Sequence, residues 1–164
     1  MPNKPKDVED LATISFGFVD DVFVIVHRAE TIDDFDWGRC LREARSAREL
    51  PCIVIAPGDS PPNVSHRYDL CELNERQELP LKVALLSGST TGQRVATALK
   101  WGGVEAGCFE VEDLDGMLGF LDRLGSRARM SSALGPYLER SWLQGSTGPV
   151  RPSRRESDFA TRPR

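Results

Sequence analysis

The spacing of apolar and polar residues predicts a chain in which strands and helices alternate. From Leu11 to Phe18 apolar residues take every second position, which is typical of a half-buried strand. A turn at Asp20-Asp21 separates this segment from residues 22–26, whose apolar run indicates a central strand. So short a connection predicts an antiparallel hairpin. Three more buried strands are predicted at residues 52–56, 81–86 and 106–111.

Helical spacing fills the gaps between these strands. Thr31 is the expected cap of a first helix that ends near Glu49, and a second helix is predicted over residues 65–76. A third helix ends at Gly102-Gly103, and a fourth begins at Asp113. The predicted inward residues of the first and fourth helices are Phe35, Cys40, Leu41 and Ala44, and Leu114, Met117, Leu118, Leu121 and Leu124. The element order therefore predicts an α/β fold: a small mixed, mostly parallel sheet with an N-terminal antiparallel hairpin and about four helices.

Charge divides the chain unevenly and suggests its domain organisation. Residues 1–124 carry 13 basic and 22 acidic side chains, whereas residues 125–164 carry 8 and 3. We expect a disordered lead-in at 1–10, the α/β domain at 11–124, a partly helical extension at 125–144 and a basic disordered tail at 145–164. Within the extension, Pro136 is expected to begin two helical turns. Removal of the tail is expected to leave folding intact.

Cysteine and histidine usage argues against a metal centre. The four cysteines form no C-x-x-C pair and the two histidines, His27 and His66, lie far apart, so we expect neither a structural zinc nor a cofactor. His66 is expected at the surface. The N-terminus lacks the apolar run of a signal peptide, which favours a cytoplasmic protein with free thiols. No hydrolase, zinc-protease or dinucleotide motif occurs, so a non-catalytic role is expected.

The strand and helix order, together with the stretch LKVALLSGSTTGQRVATALKWGGVEAGCFEVEDLDGMLGFL, resembles the STAS family of sulfate-transporter and anti-sigma-factor-antagonist domains. The likeness is greatest to divergent bacterial members of the sporulation anti-anti-sigma type, and it covers residues 11–124. The resemblance implies a regulatory domain that binds a protein partner, such as a switch kinase or an anti-sigma factor, and that is controlled by serine or threonine phosphorylation. The oligomeric state stays open.

In that family the phosphorylated serine follows the third strand, at the start of a helix. The positional match is Asp59-Ser60, although Pro61-Pro62 replaces the family's small residue and glycine and moves the expected helix start toward Asn63 or Ser65. Ser60 and Ser65 are therefore the candidate phosphosites. Gly58, Asp59 and Asn63 belong to the expected partner-contact loop. A solvated turn at Ser60 and a helix cap at Ser65 are the ordinary alternatives.

Three alternatives involve other residues. Asp20-Asp21 and Asp59 are similar to the acidic residues of a receiver domain, although the hairpin is expected to separate them. The segment from Ser87 to Arg94 offers a candidate anion site at a helix start, which would make the chain an anion- or nucleotide-sensing domain, and helix capping explains the segment equally well. The arginines of the basic tail suit contacts with nucleic acid or anionic lipid, or simply solvent. The candidate anion-site residues are Ser87, Ser89, Thr90, Thr91 and Arg94.

Overall fold

Six strands form one mixed sheet in the computed structural model, which describes residues 8–29, 31–56 and 62–145. The first three strands are antiparallel, and the third to the sixth are parallel. Spatial order follows chain order from the first strand to the sixth, which confirms the predicted α/β class with its N-terminal hairpin. The strands are β1 (Glu9–Asp10), β2 (Ile14–Val19), β3 (Val22–His27), β4 (Cys52–Ala56), β5 (Lys82–Leu86) and β6 (Glu105–Phe109).

Five α-helices cover the two faces of this sheet. Each parallel strand is added on the same side of the one before it, so right-handed crossovers place the first three helices on one face. The last two helices pack on the other face. No helix in the described ranges combines the length and the apolar content that crossing a membrane requires. The helices are α1 (Asp34–Ser46), α2 (Val64–Glu75), α3 (Thr90–Trp101), α4 (Leu114–Phe120) and α5 (Arg127–Gly145).

Burial of both faces explains the unbroken apolar runs of the central strands. In β3, Phe23 and Ile25 join the core beneath α1 to α3, whereas Val22, Val24 and Val26 join the core beneath α4 and α5. Successive side chains of a strand point to opposite faces, so a strand covered on both sides needs apolar residues at every position.

The start of α1 differs from the prediction in two respects. Asp33 caps the helix in place of Thr31, because its carboxylate accepts hydrogen bonds from the backbone N–H groups of Phe35 and Asp36. Phe35 points to solvent instead of into the core, whereas Asp36 and Trp37 are buried. Cys40, Leu41 and Ala44 are buried as predicted, so the inner face of α1 is confirmed except at Phe35.

The predicted fourth helix is shorter than expected. It ends at Phe120, and Asp122 adopts a left-handed backbone conformation with φ of 57°. Leu124, expected on the inner face of this helix, follows in a 3-10 turn and is 58% exposed. The chain thus turns before residue 124 and redirects the next helix across the sheet.

The helix α5 extends the packed domain beyond the boundary predicted near Leu124. It begins at Arg127 and continues through Pro136, so Pro136 is not its first residue. Met130 and Leu134 are fully buried against the sheet. The Tyr137 hydroxyl donates to Asp10 Oδ1 at 2.7 Å, and the predicted lead-in contributes Glu9–Asp10 to the sheet as β1.

A polar cluster at the β2–β3 turn links the acidic and basic parts of the chain. The Asp20 carboxylate accepts a hydrogen bond from the Ser126 hydroxyl at 2.7 Å and pairs with Arg129. These two contacts lower the pKa of Asp20, and the Ser126 hydrogen bond has the larger effect. Asp21 pairs with Arg123 at 2.8 Å. Arg129, which the charge division assigned to a separate extension, therefore binds the hairpin.

Candidate functional site

The parallel strands β3, β4 and β5 end at one edge of the sheet, where α1, α2 and α3 begin. Open α/β sheets generally bind their ligands outside this carboxyl edge. The predicted candidates Asn63, Ser65, Ser87 and Ser89 all lie there. Gly58, Asp59 and Ser60 lie outside the described residues, as do residues 146–164 of the predicted tail.

Asn63 is the N-cap residue of α2, so Ser65 has no capping role. The Asn63 side-chain oxygen accepts the backbone N–H of His66 at 2.9 Å, as an N-cap residue does. Ser65 is exposed in the first turn of α2, so the expected capping role belongs to Asn63 instead. Its hydroxyl therefore faces solvent beside the free N–H groups of the helix start.

Two stacked rings hold the first turns of α1 and α2 together. Trp37 of α1 and His66 of α2 lie with ring centroids 4.1 Å apart and planes inclined by 20°. The Trp37 indole N–H donates to Asp69 Oδ2 at 2.8 Å. His66 is 2% exposed, contrary to its predicted surface position, and burial lowers its pKa despite the opposing charges of Asp69 and Asp34.

Three large apolar side chains in the first two turns of α1 and α2 are exposed. Phe35 is 72% exposed, Val64 57% and Tyr68 74%. Val64 and Tyr68 are one helical turn apart and share a face of α2, and Ser65 lies three residues before Tyr68 on a neighbouring face. We call Phe35, Val64 and Tyr68 the apolar edge surface.

Asp36 fixes the acidic start of α1 to Thr13, the residue immediately before β2. The buried Asp36 carboxylate accepts hydrogen bonds from the Thr13 backbone N–H at 3.0 Å and from the Thr13 hydroxyl at 2.7 Å. The same hydroxyl accepts the backbone N–H of Asp33 at 3.1 Å. Asp33 and Asp34 are exposed beside Phe35, so the apolar edge surface has an acidic border.

The candidate anion site divides into a capping group and an exposed group. The hydroxyl oxygens of Ser87 and Ser89 lie 2.9 Å apart, and the Ser89 hydroxyl accepts the backbone N–H of Gly92 at 3.2 Å. Ser87 is buried, whereas Thr90, Thr91 and Arg94 are exposed. The structure thus brings Ser87 and Ser89 together as the cap of α3 and leaves the other three in solvent.

The acidic pair of the receiver alternative lies at the other edge of the sheet. Asp20 and Asp21 occupy the turn where β3 begins, and both bind the α4–α5 region. Within the described ranges, no group of three or more His, Cys, Asp or Glu side chains is arranged to hold a metal ion.

The four cysteines are free thiols that burial keeps protonated near neutral pH. Burial raises the pKa of Cys52 to about 11 and raises the pKa of Cys40 further still. The pKa values of Cys71 and Cys108 are also raised, chiefly by burial. Because the thiolate is the reactive form, these residues are poor nucleophiles.

Comparison of the chain with protein-family models, with curated proteins and with solved structures gives no match.

Proposed function

We propose that this chain is a non-catalytic regulatory domain of the STAS type that acts in the cytoplasm and binds a protein partner through the apolar edge surface. The carrying observation is the exposure of Phe35, Val64 and Tyr68 at the starts of two adjacent helices. Large apolar and aromatic side chains grouped on a surface are typical of sites where proteins associate. The STAS resemblance favours a switch kinase or an anti-sigma factor as the partner.

Phosphorylation of Ser65 is the proposed switch. A phosphate at the second residue of α2 lies near the unpaired N–H groups and the positive end of the helix, which stabilise it. It also adds about two negative charges one turn before Tyr68. A partner that buries the Tyr68 ring would have to desolvate those charges, so phosphorylation opposes binding. Ser60 stays a second candidate on the strength of the family match.

Affinity capture with surface variants tests the binding site. We expect Tyr68→Ala and Phe35→Ala each to abolish capture of the partner that the unaltered domain retains. Trp101→Ala is the matched control, because Trp101 is 86% exposed but lies at the far end of α3. Equal capture by all four proteins would contradict the proposal.

Phosphosite mapping and charge mimicry test the switch. We expect phosphate on Ser65 in the cell, and we expect Ser65→Asp to lose the partner while Ser65→Ala retains it. Ser131→Asp supplies the same charge on the exposed side of α5 and should leave capture unchanged. Loss of capture in both aspartate variants would point to general charge repulsion instead of a switch at α2.

A further inference from the structure

The apolar edge surface carries a charge that restricts what it binds. Asp33 and Asp34 are exposed beside Phe35, and two basic residues lie near them: Arg67, which is half-buried in α2, and Arg28, which is exposed after β3 and donates to the Leu11 carbonyl. A complementary ligand therefore combines basic groups with an apolar side chain. Electrostatic complementarity of this kind selects partners and speeds their association.

The helix α5 runs toward the carboxyl edge, the side of the molecule that carries the apolar edge surface. Near its start, Arg129 pairs with Asp20 at the β2–β3 turn, and Tyr137 donates to Asp10 beside the beginning of β2. The helix continues eight residues past Tyr137, which is about 12 Å at 1.5 Å per residue. Thr13, immediately before β2, is bonded to Asp36 at the start of α1. Gly145 therefore lies toward the carboxyl edge.

The chain that follows Gly145 has the complementary chemistry. Residues 146–164 contain two acidic residues, one aromatic residue, Phe159, and five arginines. Nineteen residues reach up to about 60 Å when extended, a length sufficient to reach the apolar edge surface from Gly145. The arginines are Arg151, Arg154, Arg155, Arg162 and Arg164.

We infer that residues 146–164 bind the apolar edge surface of their own chain, with arginines facing Asp33 and Asp34 and with Phe159 against the apolar side chains. This inference rests on the proposed function, because the tail then competes with the partner for one surface. A surface occupied nine-tenths of the time by the tail lowers the apparent partner affinity about tenfold. Loss of the tail contact should raise the apparent affinity for the partner about tenfold.

Amide chemical shifts of the full chain test the contact without any partner. We expect Arg154→Glu/Arg155→Glu to shift the amides of residues 33–36 and 64–68. A control with the same change of net charge, Arg48→Glu/Lys100→Glu at the opposite edge of the sheet, should leave the amides of residues 33–36 and 64–68 in place. Raising NaCl from about 50 to 500 mM should move the same amides in the unaltered chain, because salt screens exposed charges. Amides that respond to neither change would overturn the inference.

Two further outcomes separate this inference from the proposed function. Shifts that grow with protein concentration would show binding between chains and would overturn the contact within one chain. Shifts as expected, without any captured partner, would support the tail contact and count against the proposed function alone. A captured partner whose affinity is the same with and without the two arginine substitutions would overturn competition by the tail.

Discussion

Leu134→Ala tests whether α5 belongs to the cooperative fold. Leu134 is 1% exposed, and the substitution removes three carbon groups worth about 0.8 kcal/mol each in transfer free energy. Buried leucine-to-alanine changes cost about 2–5 kcal/mol once the cavity is included. Ala133, Tyr137 and Leu138 are only partly buried around this site and are able to close in. We therefore expect a loss of about 2–3 kcal/mol in the free energy of unfolding.

Urea denaturation followed by circular dichroism measures this loss. For an m-value of about 1–3 kcal/mol/M, the midpoint should fall by about 0.7–3 M with an unchanged slope. Leu124→Ala is the matched control, because the same atoms are removed from a side chain that is 58% exposed, and it should cost no more than about 0.5 kcal/mol. If the two variants lose equal stability, α5 is not packed as described and the domain ends near residue 124.

Three further predictions concern the space around two glycines, a buried aspartate and the effect of pH. Gly92→Ala should lower the free energy of unfolding by about 1–3 kcal/mol, because the added Cβ would lie 2.7 Å from a serine side chain. Gly38→Ala has open space in α1 and should raise the free energy of unfolding by about 0.5–1 kcal/mol. The urea midpoints of the two variants test both expectations. Asp36→Ala should cost about 1–3 kcal/mol, because the backbone N–H and the hydroxyl of Thr13 both lose the acceptor that Asp36 provides, and an unchanged midpoint would contradict these buried hydrogen bonds. The lowered pKa of Asp20 means that its carboxylate stabilises the fold above about pH 4 and that this contribution disappears as the pH falls through the folded-state value. The Tm difference between Asp20→Asn and the unaltered chain should therefore be constant from about pH 5 to 8 and shrink below about pH 4; a difference that persists in acid would exclude this cause.

The sheet was predictable from sequence because its determinants are local. The apolar run Cys52–Ala56 needs burial on both faces, and the two-residue turn after Val19 leaves little choice but a hairpin. The continuation of α5 through Pro136 was not predictable, because proline usually begins a helix. Its packing through Met130 and Leu134 against the sheet, which includes contact with β2 more than a hundred residues earlier, outweighs that preference.

The candidate site was predictable in position but not in detail. Chain order alone brings the start of α2, and with it Ser65, to the carboxyl edge. The exposure of Phe35 depends on the Asp33 cap and on the Asp36–Thr13 bonds, which set the rotation of α1. The stack of Trp37 on His66 joins two helices, so no spacing within either helix signals it.

The contact between α5 and the hairpin has a consequence for how the protein is made. About a hundred residues separate the β2–β3 hairpin from α5, which helps to cover the second face of β3. A domain generally folds as a unit, so these two parts pack together only after the residues between them have been synthesised. Val22, Val24 and Val26 therefore stay uncovered until α5 emerges, and chaperone binding to the nascent chain should fall at that point.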